Sequence, residues 1–201
     1  MAFELTNFLG YRVAQSVYAI PYWERLFVLV PQFSRIIELG TGNGGFSCYL
    51  KLCAMRFWIP LYTFDVRPFQ KTRITDALSL DGSFTMLDIL APQSEETIGG
   101  LIKHNGRTIL YCDNGHKISE FKMYAKYLKP GDLIGAHDWG DEIHDEDVAE
   151  AISENDLQHI PIGKALEEAA VTKFFAKGSG KPRTDGTAKP EGVEIKMGGN
   201  S

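Results

Sequence analysis

The chain lacks a basic excess, long apolar runs and a paired-cysteine pattern, and each absence excludes a class of protein. Its 21 lysines and arginines are outnumbered by 26 aspartates and glutamates, a net charge of −5. No surplus of cations is present to neutralise phosphates, so no nucleic-acid partner is expected. The longest apolar run near the start, Leu26 to Val30, is far too short to span a bilayer. No basic start followed by an apolar core marks a secretory leader, so a cytoplasmic protein without a membrane partner is expected. The three cysteines, Cys48, Cys53 and Cys112, are odd in number and form no C-x-x-C pair. They suit a reducing compartment better than a disulfide framework. No internal repeat is evident.

What is present is the composition of an ordinary globular protein. Of 201 residues, 44% are apolar and 23% charged, enough to bury one sizeable core. Residues 1–30 are aromatic-rich and read as one or two helices with a break at Pro21. Residues 31–176 read as an α/β domain. Short apolar bursts suggest strands at Arg35 to Leu39, Leu61 to Phe64, Phe84 to Leu87, Thr108 to Cys112, Leu133 to Ala136, Leu157 to Ile162 and Val171 to Ala176. Helical patterns fall between them, at Gly44 to Met55, Glu95 to Lys103, Ile118 to Leu128 and Asp145 to Ser153. This alternation predicts a doubly wound, mostly parallel, seven-stranded sheet with helices on both faces. Residues 177–201, rich in Gly, Pro, Lys and Thr, read as a flexible tail, within which Val193, Ile195 and Met197 alternate like a short strand.

The polar residues that matter fall at strand ends. Asp65, Asp88, Asp113 and Asp138 each stand just past the carboxyl end of a predicted strand, the edge where open α/β sheets bind ligands. One such carboxylate would be read as a helix cap. Four along one edge call for more.

Residues 38–45 read Glu-Leu-Gly-Thr-Gly-Asn-Gly-Gly. Gly40 permits a tight turn out of the first strand, and Gly42 lets backbone approach a ligand. Gly44 and Gly45 allow close packing as the helix begins. Gly40, Gly42 and Gly45 also satisfy G-x-G-x-x-G, so a nicotinamide dinucleotide is a competing ligand. Glu38 argues against it. A carboxylate near that helix N-terminus repels a pyrophosphate and attracts the ammonium and sulfonium of S-adenosylmethionine. Asp65 stands where an acidic residue holds ribose hydroxyls, which fits either cofactor.

The stretch IIELGTGNGGFS, Ile36 to Ser47, resembles motif I of class I S-adenosylmethionine-dependent methyltransferases, and the likeness extends over roughly residues 33–140. It implies a Rossmann-like methyltransferase fold. It also implies a cofactor site formed by Glu38, Gly40, Thr41, Gly42 and Asn43, with Asp65 on the ribose diol and Asp88 towards adenine. The segment YCDNGHKISEFKMYAKYLKPGDLIGAHDW, Tyr111 to Trp139, resembles the D-x-x-H … L-x-P-G-G … D pattern of the cephalosporin-hydroxylase-like and macrolide sugar O-methyltransferases. That resemblance places Asp113 beside the cofactor and makes His116 a general base, with Asp138 sharing the acid–base work. It implies a divalent metal, Mg²⁺ or Mn²⁺, on Asp113, His137 and Asp138. Metal-dependent relatives often carry Glu where this chain has His137. That exchange weakens a Mg²⁺ site and favours softer ions; a metal-free site using His116 and Asp138 is the alternative.

The leading expectation is therefore methyl transfer from S-adenosylmethionine to a small-molecule hydroxyl. The competing readings are an NAD(P)-dependent oxidoreductase, a metal-dependent oxygenase using Asp113, His116, His137 and Asp138, and a non-catalytic interaction module. Lys117 reads as solvated, Trp139 as either a pocket wall or core, and the acidic run from Asp141 to Asp147 as a solvated face. Tyr11, Tyr18, Tyr22 and Trp23 read as packing against the sheet. Homo-oligomerisation is left open.

Overall fold

The computed structural model describes residues 4–179, and side chains from Asn7 onward. Strand β3 (Arg35–Leu39), buried along its whole length, is an interior strand of a seven-stranded sheet. Its two neighbours, β4 (Leu61–Asp65) and β6 (Thr108–Cys112), are both parallel to it. Strand β5 (Phe84–Met86) extends the sheet beyond β4, and β7 (Leu133–Ala136) extends it beyond β6. The far edge is closed by β9 (Lys173–Lys177), antiparallel to both β7 and β8 (Leu157–His159). The order is β5-β4-β3-β6-β7-β9-β8. The chain winds outward from β3 through β4 to β5, then returns to start again at β6. The gap between the ends of β3 and β6 is thus the topological switch point, where such sheets leave a crevice.

Apolar residues on both faces of the central strands require cover on both sides. Residues Ile36, Ile109, Tyr111 and Leu133 face one buried cluster, and Ile37, Leu110, Ile134 and Ala136 face the other. The first is covered by α1 (Ala19–Leu29) and α2 (Gly45–Phe57), and the second by α4 (Pro92–Lys103), α5 (Lys117–Ala125) and α6 (Asp145–Glu154). Two short helices not anticipated from the pattern, α3 (Arg73–Ala77) and α7 (Lys164–Ala170), complete the layers.

The N-terminal segment differs from expectation. Helix α1 is there, but ahead of it β1 (Glu4–Phe8) and β2 (Tyr11–Ser16) form an antiparallel hairpin. Leu9 and Gly10 both take positive φ, 52° and 89°, the conformation of a two-residue hairpin turn. Leucine is a poor residue for that position, so the turn left no clear mark in the sequence. Pro21 does not break the helix; it is the third residue of α1, within the first turn, where its missing N–H costs nothing. Tyr22 and Trp23 are fully buried, with Trp23 edge-on to Tyr111 and Phe174 at ring distances of 5.0 and 5.2 Å.

The hairpin is fixed to the start of α2. A Cβ at Gly45 would collide with the Val13 side chain and come within 2.5 Å of the Arg12 carbonyl. The expected tail begins inside β9, at Lys177. Its remainder from residue 180, including the alternation at Val193, Ile195 and Met197, lies outside the described residues.

Candidate functional site

The glycine turn follows β3 and opens into α2. Gly40 has φ +106°, and a Cβ there would lie 2.5 Å from the Asp113 carbonyl oxygen and 2.7 Å from the Asn114 nitrogen. The β6–α5 loop crosses directly against it, so glycine is required by backbone contact as well as by φ. Gly42, at φ +53°, has nothing within 4 Å of where a Cβ would be. Here the backbone faces open space, as a surface that receives a ligand must. Gly44, at φ +81°, is the N-cap of α2, and no side chain caps that helix. Its first N–H groups therefore keep free hydrogen-bonding capacity.

Glu38 sits at the root of this turn, 1% exposed. One carboxyl oxygen accepts hydrogen bonds from Ser47 Oγ and Thr63 Oγ1, both at 2.5 Å. The other, Oε1, is buried without a partner among the described residues. Burial raises the Glu38 pKa; the two hydroxyls pull it down, Asp113 and Asp65 push it up, and it settles at about 8. Glu38 is thus a buried carboxyl that favours its proton until a positive charge arrives. The repulsion expected from a permanent charge is weaker than the sequence alone implied. Thr63 was legible as a polar residue inside an apolar strand, and Ser47 as one at the start of a helix; neither was singled out.

Asp65 ends β4 and reaches across to the turn. Its Oδ2 accepts from Gly42 N–H at 2.8 Å and its Oδ1 from Arg67 N–H at 3.0 Å. Thr41 turns its hydroxyl inward to Thr63, at 2.6 Å, and is buried. Asn43 is exposed beside Gly42. Asp88 is exposed at the same sheet edge and accepts from Leu90 N–H at 3.0 Å, a local turn contact. The structure brings Glu38, Gly40, Gly42 and Asp65 to the turn, with Asp113 against Gly40.

The second half of the site lies past β6 and β7. His137 Nδ1 stands between two carboxylates, 3.4 Å from Asp113 Oδ1 and 3.0 Å from Asp138 Oδ1. Burial disfavours charge on this imidazole, but the hydrogen bonds and charges of Asp113 and Asp138 outweigh it and raise its pKa to about 9. Burial likewise works against the Asp138 carboxylate, yet His137 and Lys117 hold its pKa down at about 2. Asp113 is pushed upward by burial, with His137 opposing. The remaining oxygens are also taken: Gln15 Nε2 donates to Asp113 Oδ2 at 2.6 Å, and Lys117 Nζ lies 2.8 Å from Asp138 Oδ2. Asp138 has φ +56°, a left-handed conformation that costs a non-glycine residue about 1–3 kcal/mol and is retained where the surroundings over-determine it.

Lys117 corrects the sequence reading. Its side chain is 4% exposed and also pairs with Glu142 at 2.6 Å, so it is buried in the site rather than solvated. No pattern announced this, since its partners come from the loop after β7. Gln15, from the hairpin, was equally silent. His116 is exposed, at the N-cap of α5. Its ring has no hydrogen bond among the described residues, while its backbone N–H donates to Glu120 Oε1 at 3.3 Å.

The metal expected on Asp113, His137 and Asp138 is not confirmed by the geometry. Among the described residues no group of three or more His, Cys, Asp or Glu is placed to hold a metal ion. Asp113, His137 and Asp138 come together, but every carboxylate oxygen already faces a nitrogen donor. The acidic run is a solvated face, with Asp141, Glu142, Asp145 and Glu146 exposed, although Glu142 also pairs with Lys117, Asp145 with Lys173, and Asp147 accepts from His144 N–H. Trp139 is partly buried and packs on Phe121 and Phe175 at the margin of the core, with Lys173 Nζ 5.1 Å from its ring centroid.

The fold is that of the Rossmann-like methyltransferases. The chain is similar to CmcI in its apo form, at 14% identity and a TM-score of 0.62 over 87% of this chain and 76% of that one. It is similar to CmcI with SAH at 12% identity and a TM-score of 0.58, over 86% of this chain and 82% of that one. A SAM-dependent O-methyltransferase from Thermotoga maritima is similar at 14% identity and a TM-score of 0.53, over 85% and 69%. No family model matches the chain, and no curated protein matches it either. No helix of the described residues is long and apolar enough to cross a membrane.

Proposed function

We propose that the chain binds S-adenosylmethionine at the Gly40–Gly45 turn and transfers its methyl group to a hydroxyl oxygen of a small molecule. The observation that carries this reading is Glu38, a buried carboxyl at the root of the turn with one oxygen left without a donor. A buried acceptor without a partner is costly. A cationic ligand relieves that cost, and a pyrophosphate does not. S-Adenosylmethionine carries an ammonium and a sulfonium, so it suits Glu38 where a nicotinamide dinucleotide does not. Asp65 accepts ribose hydroxyls beside the turn, and Asp88 lies further along the edge, towards the adenine. The likeness in fold to CmcI with SAH supports the same choice.

In the reaction the acceptor oxygen attacks the methyl carbon in line, the carbon–sulfur bond breaks, and the acceptor proton leaves to a base. His137 is held charged between two carboxylates and is a poor acceptor. His116 is exposed, with its ring unengaged, and takes that role in this reading. Asp113 and Asp138 orient His137 and line the acceptor side. An oxygenase is disfavoured because both carboxylates are already engaged with His137 Nδ1, Lys117 and Gln15. The free, buried Cys48, Cys53 and Cys112 support a reducing compartment such as the cytoplasm. The partner is a small hydroxylated molecule, with neither nucleic acid nor membrane involved, and self-association fits as well as a monomer.

Calorimetric titration with S-adenosylhomocysteine and S-adenosylmethionine tests the reading. Saturable heat is expected with both, and no fluorescence change on adding NADH. Absence of heat at about millimolar ligand, with the protein folded, would sink it. Asp65→Ala is expected to weaken both ligands about 10- to 100-fold, the worth of hydrogen bonds to a charged group.

Glu38 adds a pH signature. A cationic ligand favours the carboxylate, so binding releases a proton while pH is below about 8. Affinity for S-adenosylmethionine should therefore rise towards pH 8, by at most about tenfold per unit, and then level off. Glu38→Gln should bind more weakly and lose this slope. In the ligand-free protein the sign is opposite: the protonated carboxyl stabilises the fold, fully so below its ordinary pKa. That contribution is lost as pH rises through about 8.

A further inference from the structure

We propose that the ammonium of Lys117 is the resident cation of this site, so that Asp113 and Asp138 neither need nor bind a divalent metal ion. The two carboxylates stand past adjacent strands, β6 and β7, where the resemblance to metal-dependent methyltransferases implies a bridging ion. All four of their oxygens already face nitrogen donors. Asp138 Oδ2 is 2.8 Å from Lys117 Nζ, and Asp138 Oδ1 is 3.0 Å from His137 Nδ1. Asp113 Oδ1 is 3.4 Å from His137 Nδ1, and Asp113 Oδ2 accepts from Gln15 Nε2 at 2.6 Å. A hard divalent ion takes six or more oxygens at about 2.0–2.6 Å. Seated on Asp138 Oδ2, it would lie against a buried ammonium and meet strong like-charge repulsion.

Lys117 is fixed from more than one side. It is the first residue of α5, its side chain is 4% exposed, and Glu142 holds it from the loop after β7 at 2.6 Å. Buried cations persist when they are paired in this way. The ammonium thus ties the start of α5 to two carboxylates of the loop after β7, and places a fixed positive charge on the Asp138 oxygen that an ion would take. Binding of a metal ion is measured independently of methyl transfer, so failure of this proposal, which rests on the methyltransferase reading, and failure of the cofactor reading are separate results.

The test is Mn²⁺ titration of the full chain near neutral pH, read as loss of the free-ion electron paramagnetic resonance signal, with and without S-adenosylhomocysteine. No saturable binding is expected below about 1 mM. Lys117→Gln, which removes the ammonium from Asp138 Oδ2 and leaves that oxygen open, should bind at least about tenfold more tightly than the unaltered chain. Adding Asp113→Asn to that variant should abolish the gain. Saturable binding to the unaltered chain below about 1 mM, lost in Asp138→Asn, overturns the proposal. So does a Lys117→Gln protein that keeps its circular dichroism spectrum and gains no affinity. Should Lys117→Gln fail to fold, the titration of the unaltered chain decides alone.

Discussion

Replacing Gly40 by alanine should destabilise the fold by about 3–5 kcal/mol and abolish calorimetric binding of S-adenosylhomocysteine, adding backbone strain to overpacking. Two independent costs meet at this position. Gly40 has φ +106°, outside what an L side chain adopts without strain, and its Cβ would stand 2.5 Å from the Asp113 carbonyl oxygen. The obstacle is backbone, not a side chain that swings away. Relief requires the β6–α5 loop to retreat, which moves Asp113 off His137 and opens the switch point. Gly42→Ala is the control. Its φ is +53° with nothing within 4 Å of the new Cβ, so about 1 kcal/mol is expected from conformation alone. Any larger effect at Gly42 should be on ligand affinity. Urea unfolding of both variants separates the two, and equal destabilisation would contradict the assigned roles.

How much of this was legible depended on whether the information was local. β3, β6 and β7 were readable because a strand buried on both faces is a short apolar run ended by a turn residue. Each begins and ends where the sequence placed it. The carboxyl-edge aspartates were readable for the same reason, since the residue after a parallel strand has nowhere else to go. The hairpin at Glu4–Ser16 was not. Its alternation of buried Tyr11, Val13 and Gln15 with exposed Arg12 and Ala14 competes with helical spacing among the same aromatics, and its turn uses leucine. Gly45 gave half a clue: its need for glycine comes from β2, a neighbour the sequence does not identify.

The acid–base half was harder to read because its groups are set by long-range partners. His137 and His116 are both histidines just past strand ends, with nothing local to rank them. The structure ranks them by charge environment: one is clamped between Asp113 and Asp138, the other is exposed with a free ring. Lys117 shows the same limit. Next to an exposed histidine at a helix start it looks like a surface residue, and only the return of the chain after β7 encloses it.

That ranking leads to the second large effect. His116→Ala should lower turnover by about 10²- to 10⁴-fold, the ordinary worth of a positioned base, with affinity for S-adenosylhomocysteine unchanged. The readout is S-adenosylhomocysteine release with a hydroxyl acceptor that supports turnover. The contrast is His137→Asn, which removes the partner shared by two carboxylates. That variant should lose stability at neutral pH and much less of it at alkaline pH. The reason is the sign of the shift: His137 is raised to about 9, so its charged form stabilises the fold below its ordinary pKa. That contribution fades as pH rises through about 9. Base and clamp are thereby distinguished, because loss of a base alters rate at constant stability and loss of a clamp alters stability with a pH dependence. If His116→Ala left turnover within about threefold of the unaltered chain, far short of a base's contribution, the proton would have to leave by another route. Glu142, half exposed beside Lys117, would then be the next group to test.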